Sequence, residues 1–369
     1  AELERMNEAL HREDTQFIVI YGRRRIGKSE LIKRIIKARH KAIYFLSDTS
    51  SETVQRVAFS KVAASVIDGF DKVIYPDWET LFRSFNNQLS ERMLVCLDEF
   101  PYLVKSCDVL PSIIQKLLNE KILKFDLVLC GSSQQLMHRY VLNRQSPLYG
   151  LANEIIKMQP IPAQYMSMAM ECDAVQAVEE YAIWGGVPRY WEVRRDYPDK
   201  ETAIRKVLLD PQGPLIEEPQ RLLRDDMRDT VQASTLLTII GNGANKLSEI
   251  ATRAGKDSST ISEPLSKLRE LGYVSREVPF GESPKKSKKG IYHINDSLLR
   301  FHYQFIVPYR SILELGRMDM VMQVVLAQLP QFIGQCWELL RPVWLKLRNR
   351  KGRSSWELLG FQPVAIIQF

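Results

Sequence analysis

Features of metal-bound, disulfide-bonded and membrane proteins are scarce in this sequence. Its five cysteines lie far apart, without a Cys-x-x-Cys pair or a histidine cluster nearby, so neither a zinc site nor a disulfide framework is expected. Cys96 and Cys130 fall within apolar, strand-like runs, which indicates buried thiols in a reducing cytosol. No apolar run approaches the roughly eighteen residues that a membrane span needs. We therefore expect a cytoplasmic protein without a membrane segment.

Low-complexity tracts are also missing, and the composition is that of a globular protein. Hydrophobic residues make up 45% and charged residues 26% of the 369 residues, which argues against extensive disorder. A chain of this length is too long for one compact core, so two or three domains are expected. The first segment, Glu2 to Glu13, indicates an amphipathic helix and not a signal peptide. Because the chain starts at Ala1, we expect that it is trimmed.

The net charge of +7 is concentrated at two places. Four lysines crowd into one short segment, at Lys285, Lys286, Lys288 and Lys289. Further cations mark the C-terminal tail, at Arg341, Lys346, Arg348, Arg350, Lys351 and Arg353. Together these charges exceed the net charge, so the rest of the chain is near neutral or acidic. A basic surface for a partner is expected only at these two patches.

Short apolar segments alternate with segments of helical period over roughly residues 16–158, which is typical of βαβ units in an α/β fold. The predicted strands are Phe17 to Tyr21, Ala42 to Leu46, Met93 to Leu97, Leu127 to Cys130 and Glu154 to Met158. Each is continuously apolar and not alternating. This pattern predicts a parallel sheet that helices cover on both faces.

The rest of the chain is predicted to be mainly helical. Helical segments such as Ala174 to Trp184 and Thr202 to Leu209 are broken by glycine and proline, which predicts a small helical subdomain. Three helical segments and two strands around the lysine-rich turn then predict a winged helix-turn-helix. The predicted domains are an α/β core at 1–160, the helical subdomain at 161–226, the winged helix-turn-helix at 227–296, and a C-terminal helical segment with a basic, irregular tail at 297–369.

A phosphate-binding loop is predicted between the first strand and the helix that follows it. The Walker A spacing Gly22-x4-Gly27-Lys28-Ser29 has glycines at both ends, which let backbone N–H groups face phosphates at a helix N-terminus. Lys28 is expected to meet the β- and γ-phosphates, and Ser29 to ligate magnesium. The residues predicted to contact the nucleotide in this loop are Gly22, Arg25, Ile26, Gly27, Lys28, Ser29 and Glu30.

Polar residues follow two further strands, whose ends should meet at the same edge of the sheet. Asp98 is predicted to hold the magnesium shell, and Glu99 to orient or deprotonate the attacking water as the catalytic base. Alternatively, this acidic pair caps the next helix. Two serines, Ser132 and Ser133, follow the predicted strand Leu127 to Cys130. One of them, assigned to the site as Ser132, is predicted to sense the γ-phosphate; the alternative is that they form a helix N-cap.

Several motifs in order carry a resemblance to a known family. They are Tyr-Gly-Arg-Arg-Arg-Ile-Gly-Lys-Ser-Glu-Leu-Ile from Tyr21, Leu-Asp-Glu-Phe-Pro-Tyr-Leu from Leu97, Cys-Gly-Ser-Ser from Cys130, Ser-Pro-Leu-Tyr-Gly from Ser146 and Gly-Gly-Val-Pro-Arg-Tyr from Gly185. Over about residues 2–340 the chain resembles the archaeal-type ATPases of the STAND branch of P-loop NTPases. The resemblance implies an AAA-like core, a helical subdomain, a winged helix and often a nuclease-like C-terminal domain. It also implies that Pro188, in the Gly-x-Pro element, lies against adenine.

Three positions depart from the family pattern. Only Glu2-Leu3 remains of the usual N-terminal segment near adenine, which implies weaker adenine binding. Leu151 follows Gly150 where the family has arginine, and loss of that cation implies slower hydrolysis. The segment from Lys351 to Phe369 contains no Asp…Glu-x-Lys arrangement, so nuclease activity is not expected.

Binding of DNA is a further expectation for the winged helix. Its recognition helix, Ser258 to Leu271, carries Glu263 and Glu270, which oppose phosphate binding, and Pro264, which disturbs its first half. The four wing lysines are better suited to phosphate contacts, although they also suit a solvated hairpin tip. The basic tail has the same two interpretations, an arm for nucleic acid or a frayed end.

Two functions follow from these patterns. The first is a slow, switch-like ATPase that binds ATP or ADP with Mg²⁺ and couples nucleotide state to the winged helix. The second is a DNA-binding regulator that retains nucleotide as a structural ligand. Either function is compatible with a protein partner or self-association.

Overall fold

The computed structural model describes residues 2–39, 41–279, 281–283, 287 and 289–351. The chain divides into two compact units, Ala1–Gln159 and Pro160–Phe369. The predicted division into four domains stays a prediction.

The first unit combines five strands with seven helices in its described part. In chain order these are α1 (Glu2–Leu10), β1 (Phe17–Tyr21), α2 (Lys28–Lys37), β2 (Ala42–Leu46), α3 (Glu52–Ala63), α4 (Trp78–Gln88), β3 (Met93–Asp98), α5 (Phe100–Ser106), α6 (Leu110–Asn119), β4 (Phe125–Gly131), α7 (Gln134–Met137) and β5 (Glu154–Lys157). A 3₁₀ turn at Phe70–Lys72 and a π-helical turn at His138–Leu142 complete the described elements of this unit.

The five strands form one parallel sheet in the order β2-β3-β4-β1-β5. This confirms the predicted α/β fold, and β1 and β2 have the predicted bounds. Strand β4 lies between β1 and β3, so the segment after β1 and the acidic pair Asp98-Glu99 at the end of β3 flank the end of β4. Because all strands are parallel, the three carboxyl ends lie on one edge of the sheet.

Alternate residues of the strands pack against helices on opposite faces of the sheet, as the period of two requires. On one face, Ile18 and Ile20 of β1 share a core with α1 and α2. On the other face, Phe17 and Val19 share a larger core with α3, α4, α5 and α6. Burial on both faces explains why the strand sequences are continuously apolar.

The second unit is mainly helical. Its elements are α8 (Met166–Met170), α9 (Ala174–Trp184), α10 (Pro188–Arg195), α11 (Lys200–Ala203), α12 (Glu218–Asp226), α13 (Thr230–Gly241), α14 (Leu247–Ala254), α15 (Ser258–Glu270), β6 (Val274–Glu277), β7 (Ile291–Ile294), α16 (Ser297–Phe301), α17 (Arg310–Glu314) and α18 (Met318–Lys351). Turns of 3₁₀ or π geometry lie at Ala163–Tyr165, Ile204–Leu209, His302–Ile306 and Val307–Tyr309.

Two apolar cores hold the second unit together. One core joins residues of 166–215 to residues of 298–336, so the last described helices complete a core that begins more than a hundred residues earlier. The other core joins α13, α14 and α15 to the antiparallel hairpin β6–β7. Three helices and a hairpin are the elements on which the winged-helix prediction rests, and that assignment stays a prediction.

Two local expectations for the second unit are wrong. The helix α15 is continuous across Pro264, which was expected to disturb it. The C-terminal tail was expected to be irregular, but α18 is helical to Lys351; Arg353 and the rest of the tail lie outside the described residues.

The lysine-rich turn between β6 and β7 is described only in part. Lys285, Lys286 and Lys288 lie outside the described residues. Lys289 Nζ donates to Glu282 Oε1 at 3.2 Å. Among the described helices, including α18, none combines the length and the apolar character that crossing a membrane requires.

Candidate functional site

The segment between β1 and α2 turns tightly, and glycine is required where it begins. At Gly22, φ is 154°, and a Cβ atom would lie only 2.8 Å from the carbonyl oxygen of Met158. The loop then takes left-handed backbone at Arg25 (φ 65°) and at Gly27 (φ 97°), the residue that precedes α2. Such backbone favours glycine, since a Cβ atom crowds the following carbonyl. The loop therefore curls back over the start of α2.

Lys28 is the first residue of α2, and its side chain turns back into the loop. It is buried, and Nζ donates to the carbonyl oxygens of Gly22 (2.9 Å) and Arg23 (3.0 Å). The ammonium group thus lies inside the ring of the loop, at a helix N-terminus that favours anions. Ile26 is also buried. A phosphate entering this loop would meet a fixed positive charge.

Glu30 lies away from this arrangement. Its side chain is exposed and its Oε1 accepts a hydrogen bond from Arg34 Nε at 3.0 Å, one turn along α2. The predicted contact of Glu30 with a nucleotide receives no support from its carboxylate and stays a prediction.

Asp98 and Ser29, the two residues predicted to ligate magnesium, lie within hydrogen-bond distance of each other. Asp98 is the last residue of β3 and is 1% exposed. Its Oδ2 accepts from Ser29 Oγ at 2.8 Å, and its Oδ1 accepts from the Glu99 N–H at 2.9 Å. The carboxylate and the hydroxyl are the hard oxygen ligands that Mg²⁺ prefers.

A magnesium ion fits this donor set. In the described part of the chain no group of three or more histidine, cysteine or acidic side chains could hold a metal. An ion at Ser29 and Asp98 would therefore keep several water or phosphate oxygens. Magnesium bound to phosphates has this kind of coordination, with one or two protein ligands.

Tyr44 is a member of the site that the sequence interpretation missed. Its hydroxyl donates to Asp98 Oδ2 at 2.5 Å, the same oxygen that Ser29 contacts. Burial raises the pKa of Tyr44 well above its usual value, and the hydrogen bond to Asp98 raises it further. Ser47, just after β2, donates from Oγ to the Asp98 carbonyl oxygen at 2.5 Å. The available signal for these two members of the site was that each is a polar residue in or directly after β2, the strand that pairs with β3.

Glu99 has an unusual backbone and a defined side-chain position. Its φ of 53° is left-handed, a conformation that costs a residue with a Cβ roughly 1–2 kcal/mol. It precedes α5, but its side chain makes no capping hydrogen bond, which weighs against the alternative that it merely caps this helix. Instead, Oε2 accepts from the N–H (3.1 Å) and the Oγ (2.9 Å) of Ser132.

The two serines after β4 have different contacts. Ser132 holds Glu99, while Ser133 Oγ accepts from the Leu136 N–H at 3.3 Å and caps α7. Ser133 therefore has the alternative role, that of a helix N-cap, whereas Ser132 forms hydrogen bonds with Glu99, the predicted base. Gly131, the last residue of β4, leaves no room for a side chain, because a Cβ would lie 2.5 Å from Met137 Sδ.

The resemblance names two further residues, one in each unit. Leu151 packs against the larger core of the first unit, so an apolar side chain takes the position of the family arginine. Pro188 begins α10 in the second unit. Nearby, Ile161 N–H donates to the Gly186 carbonyl oxygen at 2.7 Å, and a Cβ at Gly186 would lie 2.2 Å from the Ile161 carbonyl oxygen. A contact of Pro188 with adenine stays a prediction.

Comparisons with known proteins bear on the fold and the family of the chain. An uncharacterised protein of Methanocaldococcus jannaschii is 30% identical over 365 residues, which cover 97% of this chain and 79% of the relative. The Walker-type ATPase of Pyrococcus abyssi has a similar structure, with a TM-score of 0.60 and 19% identity over 82% of this chain and 94% of that chain. The ORC2 protein of Aeropyrum pernix, solved in ADPNP and ADP complexes, has a TM-score of 0.50 and 12% identity over 88% and 94%.

These similarities define the fold and the family. At such low identity the two solved structures establish only that the chain has a P-loop NTPase α/β fold. Residues 1–191 match the family model of ATPase domains that come predominantly from Archaea. The match spans more than half of the sequence and confirms the resemblance stated above: the chain belongs to this archaeal-type ATPase family.

Proposed function

We propose that this protein is an ATP-binding switch that hydrolyses ATP slowly. The observation that carries the proposal is the convergence of Lys28, Ser29 and Asp98 at the phosphate loop. Glu99 follows Asp98 directly in the chain. Lys28 would exchange its two loop carbonyls for phosphate oxygens. Gly22, Arg25, Ile26, Gly27 and Glu30 complete the proposed loop contacts.

Ser29 and Asp98 would hold Mg²⁺, which when bound neutralises charge on the phosphates. Glu99 is the proposed catalytic base, because its carboxylate belongs to the residue next to the metal ligand. Ser132 fixes that carboxylate through two hydrogen bonds, and it would reach the γ-phosphate only by releasing it. Slow turnover follows, since Leu151 supplies no cation to the developing charge.

The signal would pass to the second unit. Pro188 is the proposed adenine contact there, and the predicted winged helix is the proposed responder. The effector that triggers the change would be a protein partner, a second copy of the chain or DNA. Contact with DNA would use Lys285, Lys286, Lys288 and Lys289.

Nucleotide binding is tested first. Isothermal titration of ATP and ADP with Mg²⁺ compares the wild type with Lys28→Ala. Loss of a charge-assisted contact of about 1.5–3 kcal/mol should lower affinity by roughly tenfold to a hundredfold. Lys33→Ala, an exposed lysine on the same helix, is the matched control and should bind normally. Equal affinity in both variants would remove the phosphate loop from the proposal.

Hydrolysis is tested separately, by phosphate release from the wild type and from Glu99→Gln. Removal of a general base should slow release by roughly a hundredfold or more. Equal, near-zero rates in both proteins, with and without DNA, would contradict hydrolysis and leave a nucleotide-binding protein.

The alternative is the DNA-binding regulator. It rests on the wing lysines, of which Lys289 is described and is paired with Glu282. A DNA affinity that falls with salt, and falls again when the four lysines become alanine, would favour this function. Absence of binding at low salt would exclude it.

A further inference from the structure

A cavity of about 600 Å³ lies within the second unit, between the end of α13, the hairpin β6–β7, α16 and α18. This volume is within the range of small-molecule sites, roughly 300–1,000 Å³. Its walls are rich in side-chain amides, at Asn242, Asn245, Gln304, Gln328, Gln331 and Gln335. Amides offer both donors and acceptors, so they suit a polar ligand with few charges.

Arg300 also lines this cavity, and its guanidinium group is buried without an ion pair to any described side chain. Arg300 is 7% exposed and lies over the ring of Phe332, at 4.2 Å from the ring centroid. Nη2 donates to the Ala182 carbonyl oxygen at a long 3.4 Å, and the buried Nε has no hydrogen-bond partner. Burial lowers the pKa of Arg300, although the Cys336 side chain, which forms a hydrogen bond with the guanidinium group, and the more distant Asp296 oppose that shift.

No carboxylate in the described part of the chain lies within ion-pair distance of Arg300. Asp296 attracts the guanidinium group electrostatically from beyond that distance. One of its oxygens caps α16, since Oδ1 accepts a hydrogen bond from the Leu299 N–H at 2.8 Å. Because arginine stays protonated in proteins, an unpaired guanidinium at this depth is unfavourable by itself. An apolar side chain of similar length would fill the same space without that penalty. A ligand with a negative group would remove the penalty.

We propose that this cavity binds a small polar molecule with one carboxylate next to amide groups. Arg300 receives the carboxylate, and the amide side chains of the walls receive its peptide-like groups. Two acidic residues, Glu277 and Glu338, also line the cavity and disfavour ligands with several negative charges. The site is separate from the phosphate loop and extends the proposed function by providing an effector site.

The probe for this site is N-acetylglycine, which carries one carboxylate and one amide. Its matched control is N-acetylglycinamide, which has the same shape without the charge. Thermal unfolding of the full chain is followed against each compound at equal ionic strength, for the wild type and for Lys28→Ala. We expect only the acid to raise the melting temperature in a saturable way, since ligands that bind the native state stabilise it. The rise should persist in Lys28→Ala, because the phosphate loop is not involved.

Variants then locate the response. Arg300→Met should unfold no more readily than the wild type without ligand and should lose the response to the acid. If that variant fails to fold, Gln328→Ala with Gln331→Ala, two exposed positions on α18, provides the test and should weaken binding several-fold. Gln323→Ala, exposed on the same helix outside this cavity, is the control.

Three outcomes would overturn the proposal. They are an absent response in the wild type up to high millimolar acid, an equal response to acid and amide, and a response that survives in the folded Arg300 variant or in the double glutamine variant. None of them bears on nucleotide binding, which is measured by its own titration.

Discussion

The hydrogen bond from Tyr44 to Asp98 gives a sharp prediction about the candidate site. Replacing Tyr44 with phenylalanine removes one hydroxyl and leaves the ring. Asp98 is almost fully buried, and its Oδ2 would lose one of the two hydrogen bonds that it accepts from hydroxyl groups. Hydrogen bonds to charged groups contribute about 1.5–3 kcal/mol to stability. We expect the free energy of unfolding of the first unit to fall by that amount.

The matched control is Tyr21→Phe. Tyr21 ends β1, is also half-buried, and its hydroxyl makes no hydrogen bond with a described residue. Its replacement should change the free energy of unfolding by less than about 0.5 kcal/mol, as for substitutions that remove no specific contact. Both variants are measured by urea unfolding at pH 7 without nucleotide, with the transition of the first unit resolved from that of the second.

A double-mutant cycle with Asp98→Ala identifies the cause. If the hydroxyl acts through the carboxylate, Tyr44→Phe should have little effect in that background, and the coupling energy should be at least about 1 kcal/mol. Equal losses for Tyr44→Phe and Tyr21→Phe, or an unchanged loss without Asp98, would refute the reasoning.

Three further predictions concern the loop, the base and a buried histidine. Gly22→Ala should lower the free energy of unfolding by about 2–5 kcal/mol, because steric overlap adds to the cost of the positive φ. Gly150 also has a positive φ but open space around it. As the control, Gly150→Ala should therefore lower the free energy of unfolding by only roughly 1–2 kcal/mol in the same urea assay. Ser132→Ala should slow phosphate release about tenfold or more, because the Glu99 carboxylate loses a hydrogen bond that positions it. As the control, Ser133→Ala removes the cap of α7 and should lower the free energy of unfolding by about 1 kcal/mol without changing the rate of release. Burial lowers the pKa of His302 from 6.5 to about 4, so between these pH values the unfolded chain binds more protons and stability falls with falling pH. At about 1.4 kcal/mol per pH unit, up to about 3 kcal/mol should be lost near pH 4. The variant His302→Phe should remove this loss in unfolding curves recorded between pH 7.5 and pH 4.

Local sequence was enough for the parts of the fold and site that depend on short-range chemistry. The continuous apolar runs predicted the parallel sheet, since only strands covered on both faces bury every side chain. The spacing of Gly22, Gly27 and Lys28 predicted the loop, because its backbone angles and its helix N-terminus are set within eight residues. Asp98 at the end of an apolar strand followed from the same logic.

Contacts between distant segments could not be read in this way. Tyr44 and Ser47 join the site because β2 pairs with β3 in the register Leu46 to Asp98, and nothing in the sequence near residue 44 specifies that register. The pairing of Ser132 with Glu99 likewise depends on β3 and β4 being neighbours. The expected effect of Pro264 was misjudged as well, since α15 is continuous across it although its bounds agree closely with the predicted helix.

The sequence by itself thus determined the family, the α/β fold and the identity of the phosphate loop, because these depend on residue type and spacing along the chain. Tertiary structure alone decided which hydroxyls reach Asp98, which serine holds Glu99, and that Arg300 is buried beside a cavity with no described carboxylate at ion-pair distance. The physical reason is that burial and hydrogen-bond partners depend on which segments pack together, and strand order and helix packing fix those neighbours only when the whole unit folds.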